Sequence, residues 1–330
     1  MRRIFNHPFP MKHGSLIAYF RKHNIEFEKK VSLDRARITS DRYKIVCDHL
    51  ERFVKSEYGK ADLPFSKISL KTVNDFDVYL RCRMNLKPNT VWGYMTVFKH
   101  IILLARNDGL LEINPFCGYY NNTKQVDREY LLEDELLRVY HSKMPTASTA
   151  LVRDLFVFSG YTGISYSDLK QLKYENVKKM FDGNLWLVYR RKKTNAESTV
   201  RLFEIPLEII DKYNGISDEY LFLVPSNGYC NTLLTKIMNV AGIKRKITFH
   251  AARHTFDTLL LSKGIQIETV SRVLGHSSIK TTQIYAKITN EKLRADMDKF
   301  EQLLKSGKEK GKKPIKAQAL FAASSASSLV

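Results

Sequence analysis

ITFHAARHTFDTLLLSKG, residues 247–264, and LGHSSIKTTQIYAKI, residues 274–288, carry the reading of this chain. In the first, Thr248 suits an N-cap, so His250 falls in the first helical turn and Arg253 lies on the same face. An imidazole and a guanidinium then flank a helix N-terminus, where unpaired N–H groups and the dipole favour an anion such as a phosphate. Alone, the pair has an ordinary reading too: a first-turn histidine bound to local backbone and an arginine paired on the surface. In the second stretch a helix ends at Leu274-Gly275, His276 sits where the chain turns, and Tyr285 follows. A tyrosine hydroxyl, with a pKa near 10, is a poor nucleophile until a base or positive charge assists it. Taken singly, Tyr285 is one more core aromatic.

Upstream, two β-like runs, NLWLVYRRK at 184–192 and STVRLFEIPL at 198–207, are joined by a polar turn that begins at Lys193. A hairpin-tip lysine is commonly solvated, but a mobile hairpin can also deliver it as a general acid. Helical spacing surrounds this pair, at 132–143 and 148–160 before it and at about 206–214, 229–241, 248–263, 266–274 and 290–305 after it. From 15 to 108 the pattern is helical throughout. Tyr43, Val46, Leu50, Phe53, Val54 and Tyr58 mark 41–58, behind capping candidates Thr39 and Ser40. Val73, Phe76 and Leu80 mark a short helix. Val91, Met95, Phe98, Ile102 and Ala105 mark 90–106, entered at Pro88 and stopped at Asn107-Asp108-Gly109. Four or so such helices make a small bundle. The aperiodic, turn-rich segment NPFCGYYNNTKQVDREY is read as a linker. The expected division is a stub at 1–14, a helical domain at 15–113, a linker at 114–130, a second domain at 131–305 and a basic, disordered tail at 306–330. No internal repeat is visible.

The chain has 330 residues and a formal charge of +20. Its Lys and Arg outnumber Asp and Glu by 54 to 34, which points to a polyanionic partner. The tail segment KSGKEKGKKPIK removes only part of this, leaving about +15. No apolar run approaches the roughly 20 residues of a spanning helix. No secretory leader follows the N-terminal arginines, so a cytoplasmic, nucleoid-associated protein is expected. The four cysteines, Cys47, Cys82, Cys117 and Cys230, lack metal or disulfide spacing and are expected to be reduced and mostly buried. Neither a phosphate-binding glycine loop nor a metal-spaced carboxylate cluster is present, so no cofactor is expected.

The order of Lys193, HAARHTF and LGHSSIKTTQIYAKI behind a basic helical domain resembles the tyrosine recombinase (phage integrase) family, over about residues 15–305. The resemblance implies a mainly α fold: a helical, SAM-like core-binding domain, then a mixed α+β catalytic domain with a small antiparallel β-sheet. It implies Tyr285 as nucleophile forming a 3′-phosphotyrosine link, and Arg253 and His276 as ligands of the phosphate and transition state. It further implies His250 as proton acceptor or phosphate ligand and Lys193 as general acid. The implied partners are double-stranded DNA, a homotetramer in the synapse and DNA-bending accessory proteins. The implied biology is the DNA recombination of mobile elements, including integration and transposition, with integration, excision, inversion and dimer resolution all left open by the sequence. A separate N-terminal arm-binding domain is not expected, since only the stub precedes the first helix.

One departure stands out. The family motif T-G-x-R-x-x-E-L reads TGISYSDL at 162–169, which puts Ser165 where an arginine belongs. A serine cannot give the charge-assisted, bidentate contact of a guanidinium. In this the chain resembles integrases of conjugative and mobile elements that lack the first arginine, which favours replacement by another cation. Arg191 is the expected replacement. Side chains alternate along a strand, so residues 191 and 193 share a face at Cα positions about 6.5–7 Å apart. Arg190 points away, provided the strand runs unbroken to 193. Two other readings compete with a site-specific recombinase: a type IB topoisomerase-like enzyme, and a catalytically inert DNA-binding relative. The helix at 290–305, apolar at Leu293, Met297, Phe300 and Leu304, either packs on a neighbouring protomer or caps its own core.

Overall fold

The computed structural model describes residues 14–31, 33, 35–121, 123–124, 128–275, 279, 297–302 and 304–305. It divides into two compact units, residues 1–126 and 127–330. His276, Tyr285 and Leu293 lie outside the described residues.

The first unit is a helical bundle of α1 (Leu16–Lys29), α2 (Arg37–Tyr58), α3 (Leu70–Val78) and α4 (Pro88–Asn107). Its core is aromatic, with Phe20, Phe53, Phe76 and Phe98 fully buried. Phe53 and Phe76 tilt together at 5.2 Å, and Phe76 meets Phe98 edge to face at 5.5 Å. Asp62 caps α1 from a distance: Oδ1 accepts from Ile17 N at 2.8 Å and Oδ2 from Ala18 N at 2.9 Å. α2 starts four residues earlier than its periodicity suggested, with Ala36 rather than Thr39 or Ser40 at its N-cap. Ser40 is instead buried inside the helix and donates to Glu28. Gly59, at φ 63°, ends α2 in the left-handed conformation common after helices. The short helix runs on through a π-type turn at Tyr79–Arg83.

In the second unit, α5 (Glu133–His141), α6 (Ala147–Thr162) and α7 (Tyr166–Leu169) precede a sheet of β1 (Val177–Lys179), β2 (Leu185–Arg190) and β3 (Glu197–Arg201). α8 (Glu204–Lys212), α9 (Asn227–Val240), α10 (His250–Ser262) and α11 (Ile267–Val273) follow. The fold is mostly helical, with one antiparallel sheet of order β1-β2-β3 among the described residues. α6 and α10 pack together through the core, where Phe156 and Phe249 meet edge to face at 6.0 Å. On β2 the alternation expected of a half-buried strand is plain, Leu187 and Tyr189 facing in and Arg190 out. A satellite cluster of Val200, Phe256, Leu261, Val270 and Leu274 ties β3 to α10 and α11.

Four expectations need correction. The second β-like run was expected to reach 207, but β3 ends at Arg201 and α8 begins at Glu204. β1 was not expected, because VKK carries no strand signature of its own and forms only by pairing with Leu185–Leu187. β2 ends at Arg190, so Arg191 and Lys193 do not sit on one continuous strand face. Only Cys47 and Cys230 are buried; Cys82 and Cys117 are exposed, and all four are unpaired. Residues 297–302 and 304–305 are helical and exposed, Met297, Phe300 and Leu304 included.

Candidate active site

α10 supplies the first two side chains. Thr248 does not cap this helix through its side chain as expected. The N-cap position is Phe249, whose N–H donates to Asn231 Oδ1 at 2.8 Å, and the Thr248 carbonyl accepts from Ala251 N at 2.9 Å. His250 still opens the helix, with its ring edge-on to His254 at 4.4 Å. Arg253 is not a surface residue. It is 3% exposed, donating from Nη1 to the Gly163 carbonyl at 2.7 Å and from Nη2 to the Leu274 carbonyl at 2.6 Å.

The Gly163 carbonyl can take that bond because Gly163, at φ +68°, turns the chain sharply at the end of α6. A Cβ there would lie 2.4 Å from Phe256 Cδ1 and 2.6 Å from Leu274 Cδ2, so no other residue fits without rearrangement.

Arg191 arrives from the sheet. Its N–H donates to the Ala196 carbonyl, and its own carbonyl accepts from Asn195 N at 2.8 Å, closing a tight turn just past β2. The side chain is 12% exposed and donates from Nη1 to the Gly275 carbonyl at 2.8 Å. Ser198, on β3, donates to the Val273 carbonyl. The consecutive carbonyls of 273, 274 and 275, at and just after the end of α11, therefore accept from Ser198, Arg253 and Arg191 in turn. Carbonyls at a helix C-terminus lack intrahelical donors and carry the negative end of the dipole, so cationic side chains gather there. This turn leads directly into His276.

Asp168 organises the other side. Its Oδ2 accepts from Ser165 Oγ at 2.7 Å and its Oδ1 from Lys192 N at 2.8 Å, and its carboxylate lies 3.8 Å from Arg191 Nε. Ser165 is thus committed to capping α7 and bonding Asp168. Arg190, by contrast, is exposed and reaches the Asn195 carbonyl. Lys193 is exposed on the turn between β2 and β3.

The electrostatics of the site are those of crowded cations. Burial and the neighbouring Arg253 charge push the Arg191 guanidinium below its usual value. His250 is exposed, yet the protein around its ring and the charges of Arg128, Arg253, Lys193 and Arg191 hold its imidazole below the ordinary histidine value. Arg128 belongs to a segment fastened across α10, where Leu131 N donates to Thr255 Oγ1 at 2.9 Å and Arg245 binds the Tyr130 carbonyl at 2.9 Å. Like charges crowded together in this way favour a bound anion.

Five sequence-derived site residues bear on this geometry. His250, Arg253 and Arg191 come together, Lys193 acts on His250 electrostatically, and Ser165 faces Asp168. His276 and Tyr285 fall outside the described residues. Asp168, Ser198, Asp257 and Arg128 were missed. Asp168 occupies the acidic position of the T-G-x-R-x-x-E-L motif and Asp257 lies one turn past Arg253, so both carried a signal. Ser198 and Arg128 carried none.

Two family models match: the phage integrase SAM-like domain over residues 15–124 and the phage integrase family over residues 129–292. The tyrosine recombinase XerC of Pediococcus pentosaceus is 41% identical over 276 residues, covering 77% of this chain and 88% of that protein. XerC of Oceanobacillus iheyensis is 25% identical over 295 residues, covering 82% and 90%. A lambda integrase dimer bound to a core site has the same fold at a TM-score of 0.64 and 17% identity, over 81% of this chain and 97% of that one. So does the Tn1549 transposon integrase in complex with a circular intermediate DNA, at 0.64 and 17%, over 87% and 100%. With both units matched in sequence and in fold, and a curated relative aligned along most of its length, the chain belongs to the tyrosine recombinase (phage integrase) family of site-specific DNA recombinases.

Proposed function

We propose that this recombinase cuts and rejoins duplex DNA through Tyr285, with Arg253, Arg191 and His276 holding the scissile phosphate, His250 accepting the tyrosine proton and Lys193 protonating the leaving oxygen. The supporting observation is the convergence of two guanidiniums, a buried one from α10 and a largely buried one from just past β2, on the turn that leads into His276. Ser165 has its hydroxyl engaged with Asp168, and Arg191 brings a cation to the neighbourhood the missing arginine would have served. This favours an active enzyme over an inert DNA-binding relative.

Attack by the Tyr285 oxygen forms a P–O bond to tyrosine and breaks the bond to the 5′ oxygen. The phenolic proton passes to His250, and the 5′ oxygen takes a proton from Lys193 and leaves as a hydroxyl. One phosphodiester replaces another, so the step needs no external energy and reverses when a 5′-hydroxyl from a second duplex attacks. Burial and the neighbouring cations hold the His250 imidazole below its ordinary value, so the free enzyme presents it neutral at pH 7, as a proton acceptor must be. Fixed guanidiniums stabilise the charge that builds on the pentacoordinate phosphorus.

The helical domain at 15–113 and the catalytic domain at 131–305, joined by the linker at 114–130, are each read as a DNA-binding unit. Lambda integrase, a neighbour in fold, has been solved as a tetramer bound to a Holliday junction. A homotetrameric synapse is proposed here as well. The exposed apolar side chains of Met297, Phe300 and Leu304 support packing of that helix on a neighbouring protomer rather than on its own core. DNA-bending accessory proteins and a nucleoid location remain part of the same proposal.

The test is cleavage of a nicked suicide substrate built on a repeat identified by sequencing the flanks of the gene. Arg191→Ala is expected to abolish the covalent complex while Arg190→Ala leaves it intact. The reverse result overturns the assignment of Arg191.

A further inference from the structure

Asp257 lies on α10 one turn past Arg253, is 1% exposed, and plays no part in the steps above. Its Oδ1 is buried and has no hydrogen-bond partner among the described residues. Three cations act on it from three elements: Arg253 on its own helix, Arg191 at the end of β2, and Arg128 in the segment fastened over α10 by Leu131 and Thr255. The contrast with Asp168 is informative. Asp168 also stands beside Arg191, but it accepts from a hydroxyl and a backbone N–H, which suits a permanent carboxylate. Asp257 has the charges and, among the described residues, no donor to its Oδ1. Burial outweighs the three arginines and lifts its carboxyl from 3.8 to about 7.

We propose that Asp257 is a positioning residue whose carboxylate balances Arg253 and Arg191 in the free enzyme, and which takes up a proton when the DNA phosphate becomes their anion. The inference rests on the phosphate site described above. Two anions close to the same guanidiniums repel each other, and the desolvated one, whose Oδ1 has no donor among the described residues, is the cheaper to neutralise. The proton comes from solvent and adds to the carboxylate, and no covalent bond to carbon changes. Binding thus raises the Asp257 pKa above its free value. The affinity gained is full below the free value of about 7 and fades as pH rises through the bound value. His250, on the same helix, faces the same cations and also gains a proton more readily once an anion binds. A measurement must therefore resolve Asp257 by itself.

Carboxyl carbon NMR of the full chain does so, with Asp257→Asn to assign the signal and Asp257→Ser in its place should the first variant not fold. Sulfate is the probe, being a tetrahedral anion that does not titrate near neutrality. The expected result is a midpoint near 7 without sulfate, rising by about one unit or more at saturating sulfate. A midpoint unmoved by sulfate that does shift the Arg191 and Arg253 side-chain signals overturns the proposal, as does a midpoint below about 5 in both conditions. If sulfate leaves those guanidinium signals untouched, the phosphate site itself is refuted.

Discussion

Gly275 offers a sharp test of the role given to Arg191. It holds φ +58°, and a Cβ built on it would stand 2.9 Å from Arg191 Cδ and 3.2 Å from the Glu197 carbonyl oxygen. The carbonyl belongs to β3 and cannot retreat, so in Gly275→Ala the arginine side chain must move. Gly242 is the control. It holds φ +73° with nothing within 4 Å of the same hypothetical atom. Alanine in that left-handed conformation costs about 1 kcal/mol at either site. Gly242→Ala should therefore lose about that amount in urea melts, and Gly275→Ala that amount plus the cost of its close contacts. Only Gly275→Ala should lose cleavage, by about 10²–10³-fold if Arg191 acts as a fixed donor to the transition state. The assay is single-turnover formation of the covalent complex on a suicide substrate at saturating enzyme. In the background of Arg191→Ala, Gly275→Ala should add little, since the two changes disable one interaction. Equal cleavage by the Gly275→Ala and Gly242→Ala enzymes would refute the reasoning.

Other outcomes follow from the same geometry. Asp257 has a folded pKa of about 7 against 3.8, so the folded state binds the extra proton and stability falls as pH rises between those values. Asp257→Asn should remove that slope, worth up to about 4 kcal/mol, in melts at pH 4 and pH 8. His250 is held below the ordinary histidine value in the free enzyme, so cleavage at subsaturating DNA should already be on its plateau at pH 7 and decline toward acid. His250→Gln should flatten that limb of the pH–rate profile. Gly163→Ala should disturb the carbonyl that receives Arg253 and lower cleavage more than DNA affinity, measured by comparing the rate at saturation with the binding constant. Affinity for duplex DNA should fall steeply with salt, as counterion release requires of a protein with formal charge +20.

Most of the helical architecture was legible because each helix buries one face, and Val46, Leu50, Phe53 and Phe98 announce that face at helical spacing. What escaped was set by contacts distant in sequence. Nothing in YRRKKT says that β2 stops at Arg190. The chain turns there, closed by Asn195 N on the Arg191 carbonyl, and Asp168 captures the Lys192 N–H from 24 residues away. Arg191 was identified from strand alternation, yet it reaches the site from a turn closed by Asn195 and Ala196. α8 interrupts the second β-like run at Glu204, where Pro206 near the start of a helix was a readable sign. The pairing of His250 and Arg253 was visible as i, i+3 spacing. The carbonyls of Gly163 and Leu274 that fix Arg253 were not, since backbone acceptors leave no mark in side-chain pattern.

The claim on which the chemistry depends is that Tyr285 makes the covalent bond to DNA. Peptide mapping by mass spectrometry of the protein trapped on a suicide substrate measures this directly. A nucleotide phosphate on the peptide containing Tyr285, absent in Tyr285→Phe, is the predicted result. An adduct on another residue, or one that persists in Tyr285→Phe, would contradict it.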